Sequence, residues 1–182
     1  MPPLILVGIA NTDRIRDFTP TPGMLFTVDG QISGGDARAF TRFLKGELIP
    51  YIEMRLRVSS WRLLIGHSLG GLYAVYALLC HPNLFNAVVA LSPFLVWDSN
   101  TILEEARVYA QGNPPHRLLF IADEKIPEEK ERSTLDLIEI LSGADRLELE
   151  FRRYIDAGHM SLIVKALPDA LDYMFPGFVQ DR

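Results

Sequence analysis

Residues 61–72 read Trp61-Arg62-Leu63-Leu64-Ile65-Gly66-His67-Ser68-Leu69-Gly70-Gly71-Leu72, an apolar run broken by a serine that glycines fence on both sides. Trp61 to Ile65 reads as a buried strand, and Leu69 to Cys80, apolar nearly all round, as a buried helix directly behind the turn. A serine hydroxyl is a poor nucleophile unless a base takes its proton and donors hold the oxyanion that forms. Gly66-His67-Ser68-Leu69-Gly70 meets the geometric half of that need. On a tight strand-to-helix turn the serine adopts an unfavourable backbone conformation, and flanking glycines remove side chains that would collide. The Ser68 hydroxyl then projects above the sheet, and the backbone N–H of Leu69, at a helix N-terminus, faces the developing oxyanion. With Gly and Ser each near 7% of residues, such a pattern arises by chance in only about 5% of chains this long. The alternative is a glycine-rich turn with an incidental serine. A phosphate cradle is the weaker reading, because neither Gly-Lys-Ser/Thr nor Gly-x-Gly-x-x-Gly is present.

Four further apolar runs are bounded by turn residues: Leu4 to Ala10, Ala87 to Leu91, Leu118 to Ala122 and Leu147 to Ile155. All but the last are almost continuously apolar, as strands buried on both faces should be, whereas the last alternates and carries charge, as an edge strand would. Helical patterns lie between them. Asp36 can cap a helix whose Phe40, Phe43, Leu44 and Leu48 share a face, with Pro50 ending or kinking it and opening a further turn through Tyr51 to Leu56. Asn100 to Gln111, Glu128 to Leu141 and Met160 to Phe175 supply three more, the last interrupted at Pro168. Alternating strand and helix predicts an α/β fold with a mainly parallel sheet and helices on both faces. Asn11 to Gly35, rich in Thr, Pro, Gly and Asp, reads as a long loop of about 25 residues, a length that signals function or mobility. Leu25-Phe26-Thr27-Val28 forms a short strand inside it on this reading.

The chain has 182 residues, 48% of them hydrophobic, enough for one domain over residues 1–182 with a full core. A formal net charge of -5, with basic residues scattered beside acids, argues against a nucleic-acid surface. Cys80 is the single cysteine, so an internal disulfide is excluded, and one thiol with four histidines argues against a structural zinc site. It ends the run Tyr76 to Leu79 and reads as a buried thiol rather than a reactive one. No stretch of about 18 apolar residues exists, so nothing is expected to span a membrane. The first residues, Met1 to Gly8, carry no basic leader and no cleavage-like tripeptide, which reads as a strand and as a cytoplasmic protein.

If Ser68 is a nucleophile, its base should follow late in the chain, because this architecture orders its residues Ser, acid, His. His67 lies inside the turn, His81 precedes a proline at a helix end and His116 precedes a strand. His159 remains, following the final strand at the carboxyl edge of the sheet, where open α/β sheets place their sites. The acid that holds the imidazole tautomer should sit just past Leu118 to Ala122. Asp123 comes first off that strand and is the favoured residue, with Glu128 next and Asp156 as an outsider. Glu124 and Glu129 read as solvated loop charges.

These residues together resemble the putative esterase family of the α/β-hydrolase superfamily, which includes enterochelin and other siderophore esterases. The resemblance runs through LILVGIANTDRIRDFTP, GGDARAFTRFLKGELIPYIE, RLLIGHSLGGLYAVYALL, FNAVVALSPFLVWD and DAGHMS, in this order. It implies an α/β-hydrolase-like three-layer sandwich and hydrolysis of a small-molecule carboxylic ester through an acyl-enzyme on Ser68, with His159 as base and no metal or organic cofactor. It also puts Arg14 and Trp97 near the substrate mouth, although a solvated loop arginine and a packed aromatic are equally good readings of those two.

Two departures from the family's pattern stand out. Members usually begin with further strands, one of which ends in a loop that supplies the second oxyanion-hole N–H, whereas this chain starts at what resembles a later strand. On that reading it is amino-terminally truncated, and the second donor is unassigned. The superfamily's strand order also leaves a slot between Leu4 to Ala10 and Trp61 to Ile65: either Leu25 to Val28 or a partner chain, such as a second copy in a homodimer, fills it, or the sheet closes differently, or the sequence is a fragment. The second departure is Met160, which stands between His159 and Ser161 where the family often has glycine. Three readings follow: a serine esterase, a non-catalytic α/β-hydrolase-like binding module, and an acyltransferase that uses the same three residues.

Overall fold

The computed structural model describes residues 3–10, 13–27, 30–125 and 127–177. In chain order its elements are α1 (Arg14–Phe18), β1 (Gly23–Thr27), β2 (Gly30–Gly34), α2 (Ala37–Phe43), α3 (Ile49–Arg55), β3 (Leu63–His67), α4 (Leu69–Cys80), β4 (Ala87–Leu91), α5 (Ile102–Gln111), β5 (Arg117–Glu124), α6 (Glu128–Leu141), β6 (Leu147–Tyr154) and α7 (Ser161–Met174). A π-helical turn, Leu44–Leu48, joins α2 to α3, and a 3₁₀ turn, Trp97–Asn100, precedes α5.

The strands β3, β4, β5 and β6 lie side by side in that order, and every pair is parallel. All of β4 is buried, which is why Ala87 to Leu91 carries no polar residue. Its side chains alternate between two apolar clusters: Val88 and Ala90 join the one built with α4, α5 and α6, while Ala87, Val89 and Leu91 join the one built with α7. In β5 the same alternation sends Leu119 and Ile121 to the first cluster and Phe120 and Ala122 to the second. Helices therefore cover both faces, giving the three layers of an α/β-hydrolase-like fold. At the edge, β6 is half-buried along most of its length, as its alternation of Leu and Glu requires.

The helices expected from the apolar pattern are present, with α4 buried over nearly all of its turns. Neither internal proline breaks its helix. Before Pro50 the chain widens into the π turn Leu44–Leu48, which accommodates a residue that has no N–H to return to the preceding turn. Pro168 lies inside α7, and the carbonyl it leaves unpaired belongs to Val164, on a face where both residues are exposed to water. Cys80 is half-buried, and burial first, then Glu105, pushes its thiol up to about 12, so it stays protonated.

The amino-terminal part departs from expectation. Asn11 to Gly35 is not a long loop: it contains the short helix α1 and the antiparallel hairpin β1–β2. That hairpin pairs only with itself, so Leu25 to Thr27 does not enter the main sheet, and Val28 lies outside the described residues. Leu4 to Ala10 is not a strand. It has no ladder partner among the described residues, its side chains are exposed, and an extended segment without a neighbour cannot satisfy its backbone groups except with water. The outer edge of β3 is unpaired among the described residues. Among them, no helix is long and apolar enough to cross a membrane.

Candidate functional site

Ser68 stands between the last residue of β3 and the first of α4, at φ 59° and ψ -118°. A non-glycine residue at positive φ is strained, and such strain persists only where the surroundings hold it. Here its N–H donates to the Leu91 carbonyl at 2.9 Å, and its carbonyl accepts from Leu72 N–H at 3.0 Å and Phe94 N–H at 3.1 Å. Two of the three glycines are required by close approach, whereas a Cβ on Gly70 would meet nothing within 4 Å. A Cβ on Gly66 would run into the Gly70 carbonyl, and one on Gly71 would lie 2.9 Å from Pro93 Cα. Leu69 begins α4, so its N–H has no intrahelical acceptor and is free to face an anion.

At the same end of the sheet lies His159, in the connection between β6 and α7. Its Nδ1–H donates to Glu124 Oε1 at 2.8 Å, which leaves Nε2 as the basic nitrogen. Glu124 is only 6% exposed. Burial alone would raise its carboxyl, but hydrogen bonds from His159, from its own backbone N–H and from Ser92 outweigh that and hold it below the usual carboxylate range. The carboxylate beside His159 is thus Glu124, where the sequence favoured Asp123. Strand β5 runs on through Glu124, and alternation sends Asp123 to the α6 side and Glu124 to the α7 side, where His159 sits. Asp123 is 2% exposed, and neither carboxyl oxygen has a hydrogen-bond partner among the described residues. Burial lifts its carboxyl to about 7, opposed in part by Thr134 and Arg153. Glu128 opens α6, and Asp156 is exposed and paired with Lys165.

His67 does more than occupy the turn. Its Nε2–H donates to the backbone carbonyl of His159 at 2.9 Å, and the two rings lie 4.4 Å apart. This contact puts the neighbour of Ser68 directly against His159. Burial first, and the His159 charge second, lower the His67 pKa, so it stays neutral and keeps the single N–H this bond uses. Arg14 is exposed at the start of α1, and its charge adds a minor part to that lowering. Among the described residues no hydrogen bond joins the Ser68 hydroxyl to His159; such bonds often tighten only when substrate is bound.

Trp97 is a packed aromatic. It is 4% exposed, its indole N–H donates to the Thr21 carbonyl at 3.0 Å, and a Cβ on Gly23 would lie 2.7 Å from its ring. It therefore docks the β1–β2 hairpin onto the core. Trp97→Phe, which deletes that bond and part of the ring, is expected to lower stability by about 1–3 kcal/mol, read as a lower urea midpoint with an unchanged slope. An unchanged midpoint would contradict this role. Of the remaining histidines, His81 lies 3.4 Å from the Tyr76 hydroxyl and His116 pairs with Glu148 on β6, both apart from Ser68.

The family sequence model described as "Putative esterase" matches residues 1–131, well over half of the chain. The chain belongs to this putative esterase family. Among the relatives it resembles, the ferri-bacillibactin esterase BesA of Bacillus subtilis (strain 168) is 30% identical over 193 aligned positions, covering 94% of this chain and 67% of that protein. The siderophore enterobactin esterase of Emericella nidulans is 29% identical over 171 positions, covering 77% of this chain and 56% of that protein. In three dimensions the chain is similar to an IroE-like serine hydrolase from Shewanella oneidensis, with a TM-score of 0.83 at 28% identity over 94% of this chain and 59% of that one. It is also similar to the BES protein from Bacillus cereus, with a TM-score of 0.80 at 25% identity over 93% of this chain and 68% of that one. The chain thus spans between 56% and 68% of the length of these four family relatives.

Proposed function

We propose that Ser68, His159 and Glu124 work together to hydrolyse a small-molecule carboxylic ester through an acyl-enzyme. The observation that carries this reading is the Nδ1–H bond from His159 to a buried carboxylate, made beside a serine held at φ 59°. With Nδ1 occupied, Nε2 accepts the Ser68 proton as Oγ attacks the ester carbonyl. The Glu124 carboxylate stabilises the imidazolium that results, while Leu69 N–H and the start of α4 face the oxyanion. Collapse of the tetrahedral intermediate breaks the bond to the alcohol, which leaves with the proton returned by His159. Water then attacks the acyl-enzyme by the same route. The named activities of the relatives, enterobactin and ferri-bacillibactin ester cleavage, support siderophore esters as the first substrates to try. Arg14, which the family resemblance puts near the substrate mouth, suits an acyl or alcohol part that carries negative charge.

A non-catalytic binding module is the second reading. It is favoured by the absence, among the described residues, of a hydrogen bond between the Ser68 hydroxyl and His159. The two separate in one experiment. A fluorophosphonate probe should add once to the intact protein, and the modified peptide should contain Ser68. No adduct, or an adduct only on another serine such as Ser161, would refute the esterase reading.

A further inference from the structure

Ser92, the first residue after β4, is 7% exposed and sits at φ 44°, a second serine at positive φ, next in the chain to the Leu91 carbonyl that accepts from Ser68 N–H. Its hydroxyl donates to Glu124 Oε1 at 3.0 Å, and its oxygen lies 3.1 Å from His159 Nδ1. With the 2.8 Å bond between His159 and Glu124 these contacts close a triangle. The protons in it can be assigned. Glu124 is ionised and only accepts, so the Ser92 proton goes to Glu124, and the Nδ1–H of His159 is shared between Glu124 Oε1 and a lone pair of Ser92 Oγ. Ser92 therefore restrains the carboxylate and the imidazole at once, in the tautomer that leaves Nε2 bare.

The backbone around Ser92 is tied to the backbone around Ser68. Leu91 accepts from Ser68 N–H and Phe94 donates to the Ser68 carbonyl, so the residues flanking Ser92-Pro93 grip both sides of the Ser68 peptide. Pro93 abuts Gly71, where a Cβ would lie 2.9 Å from Pro93 Cα. Ser92 N–H donates to the Ala122 carbonyl at 2.7 Å, two residues before Glu124 on β5. One short turn thus connects the strand that carries the carboxylate to the turn that carries the nucleophile. Strained backbone persists where the surroundings over-determine it, and here the strain at Ser92 aims its hydroxyl at Glu124.

We propose that Ser92 is a positioning residue that acts through Glu124 to hold His159 in register with Ser68. The proposal rests on the reading of Ser68, His159 and Glu124 given above. Its test is a two-by-two comparison of the parent protein, Ser92→Ala, Glu124→Ala and the double variant. Alanine keeps the Cβ and leaves the strain at φ 44° unchanged, so the substitution removes only the hydroxyl. Loss of a hydrogen bond to a charged group predicts a fall in kcat of about 10- to 100-fold for p-nitrophenyl acetate, with KM within about twofold. With Glu124 already replaced, Ser92→Ala should change kcat less than about twofold, because the group it acts through is gone. An equal loss in both backgrounds, or no loss in the parent, would overturn the proposal.

A second measurement does not depend on turnover. The His159 Nδ1–H resonance in a ¹⁵N-labelled sample should exchange faster with water in Ser92→Ala than in the parent, and an unchanged resonance and exchange rate would also overturn the proposal. Absence of a probe adduct on Ser68 refutes the esterase reading instead, so the two failures are distinct.

Discussion

Glu124→Gln is expected to lower kcat for a p-nitrophenyl ester by about 1,000- to 10,000-fold, while Asp123→Asn lowers it by less than about threefold at pH 7. The two residues are adjacent in sequence, and their side chains leave β5 on opposite faces, which makes the contrast sharp. A glutamine at 124 can sit in two ways. If its carbonyl takes the place of Oε1, it still accepts from His159 and Ser92 but offers no charge to the imidazolium that forms when Ser68 gives up its proton. If its amide nitrogen takes that place, it meets two donors, the Ser92 hydroxyl and His159 Nδ1–H, and one must turn away. The simplest relief moves the imidazole proton to Nε2, and the base is lost. Either arrangement removes what the transition state needs, and neither disturbs Ser68, whose turn is held by backbone bonds to Leu91, Phe94 and Leu72. Steady-state kinetics of the two variants, with melting curves to show that both are folded, checks this. Full activity in Glu124→Gln, or a large loss in Asp123→Asn with intact folding, would refute the assignment.

The adjacency also explains why the carboxylate was the least legible part of the site. The turn at Ser68 was readable because Gly66 is demanded by a contact only four residues away, and the position of His159 at the same end of the sheet because it follows the last strand. Choosing between Asp123 and Glu124 requires knowing which face each leaves. Alternation supplies that only when one face is polar, but β5 is buried on both sides, so Leu119, Phe120, Ile121 and Ala122 look alike. The missing signal was strand length: once β5 is seen to pair with β6 as far as Glu124 and Tyr154, parity assigns the faces. The strands from Leu63 onward and the long helices were readable from local pattern alone. The hairpin β1–β2 and the role of Trp97 were not, because Gly23 is set by an indole 74 residues away in sequence, and Gly34 by Thr19 and Ile15 together with that same ring. Leu4 to Ala10 misled for a related reason. Its composition suits a strand, but a strand also needs a neighbour, and composition does not report one.

Asp123 carries the second large effect, on stability rather than rate. Its carboxyl is lifted from 3.8 to about 7, chiefly by burial, which Thr134 and Arg153 offset only in part. A carboxyl raised in the folded state favours folding while it is protonated. Below about pH 4 it is neutral in both states and costs nothing. Between about pH 4 and 7 the unfolded chain releases the proton while the folded chain keeps it, so stability falls as pH rises. Above about pH 7 the loss is complete. The shift corresponds to a cost on the order of 4 kcal/mol. Asp123→Asn removes that titration, so the difference in unfolding free energy between the variant and the parent should grow by a few kcal/mol in the variant's favour from pH 4.5 to pH 8, read from urea midpoints. Glu124 titrates in the opposite sense, since its lowered carboxyl loses stabilisation as pH falls, but it is present in both proteins and its contribution cancels in the difference. A difference that stays flat with pH would mean that the carboxyl is solvated in the folded protein. A variant more stable than the parent at pH 8, with activity retained, would separate the residue that burdens the fold from Glu124, the neighbour to which the proposed function assigns the catalytic carboxylate.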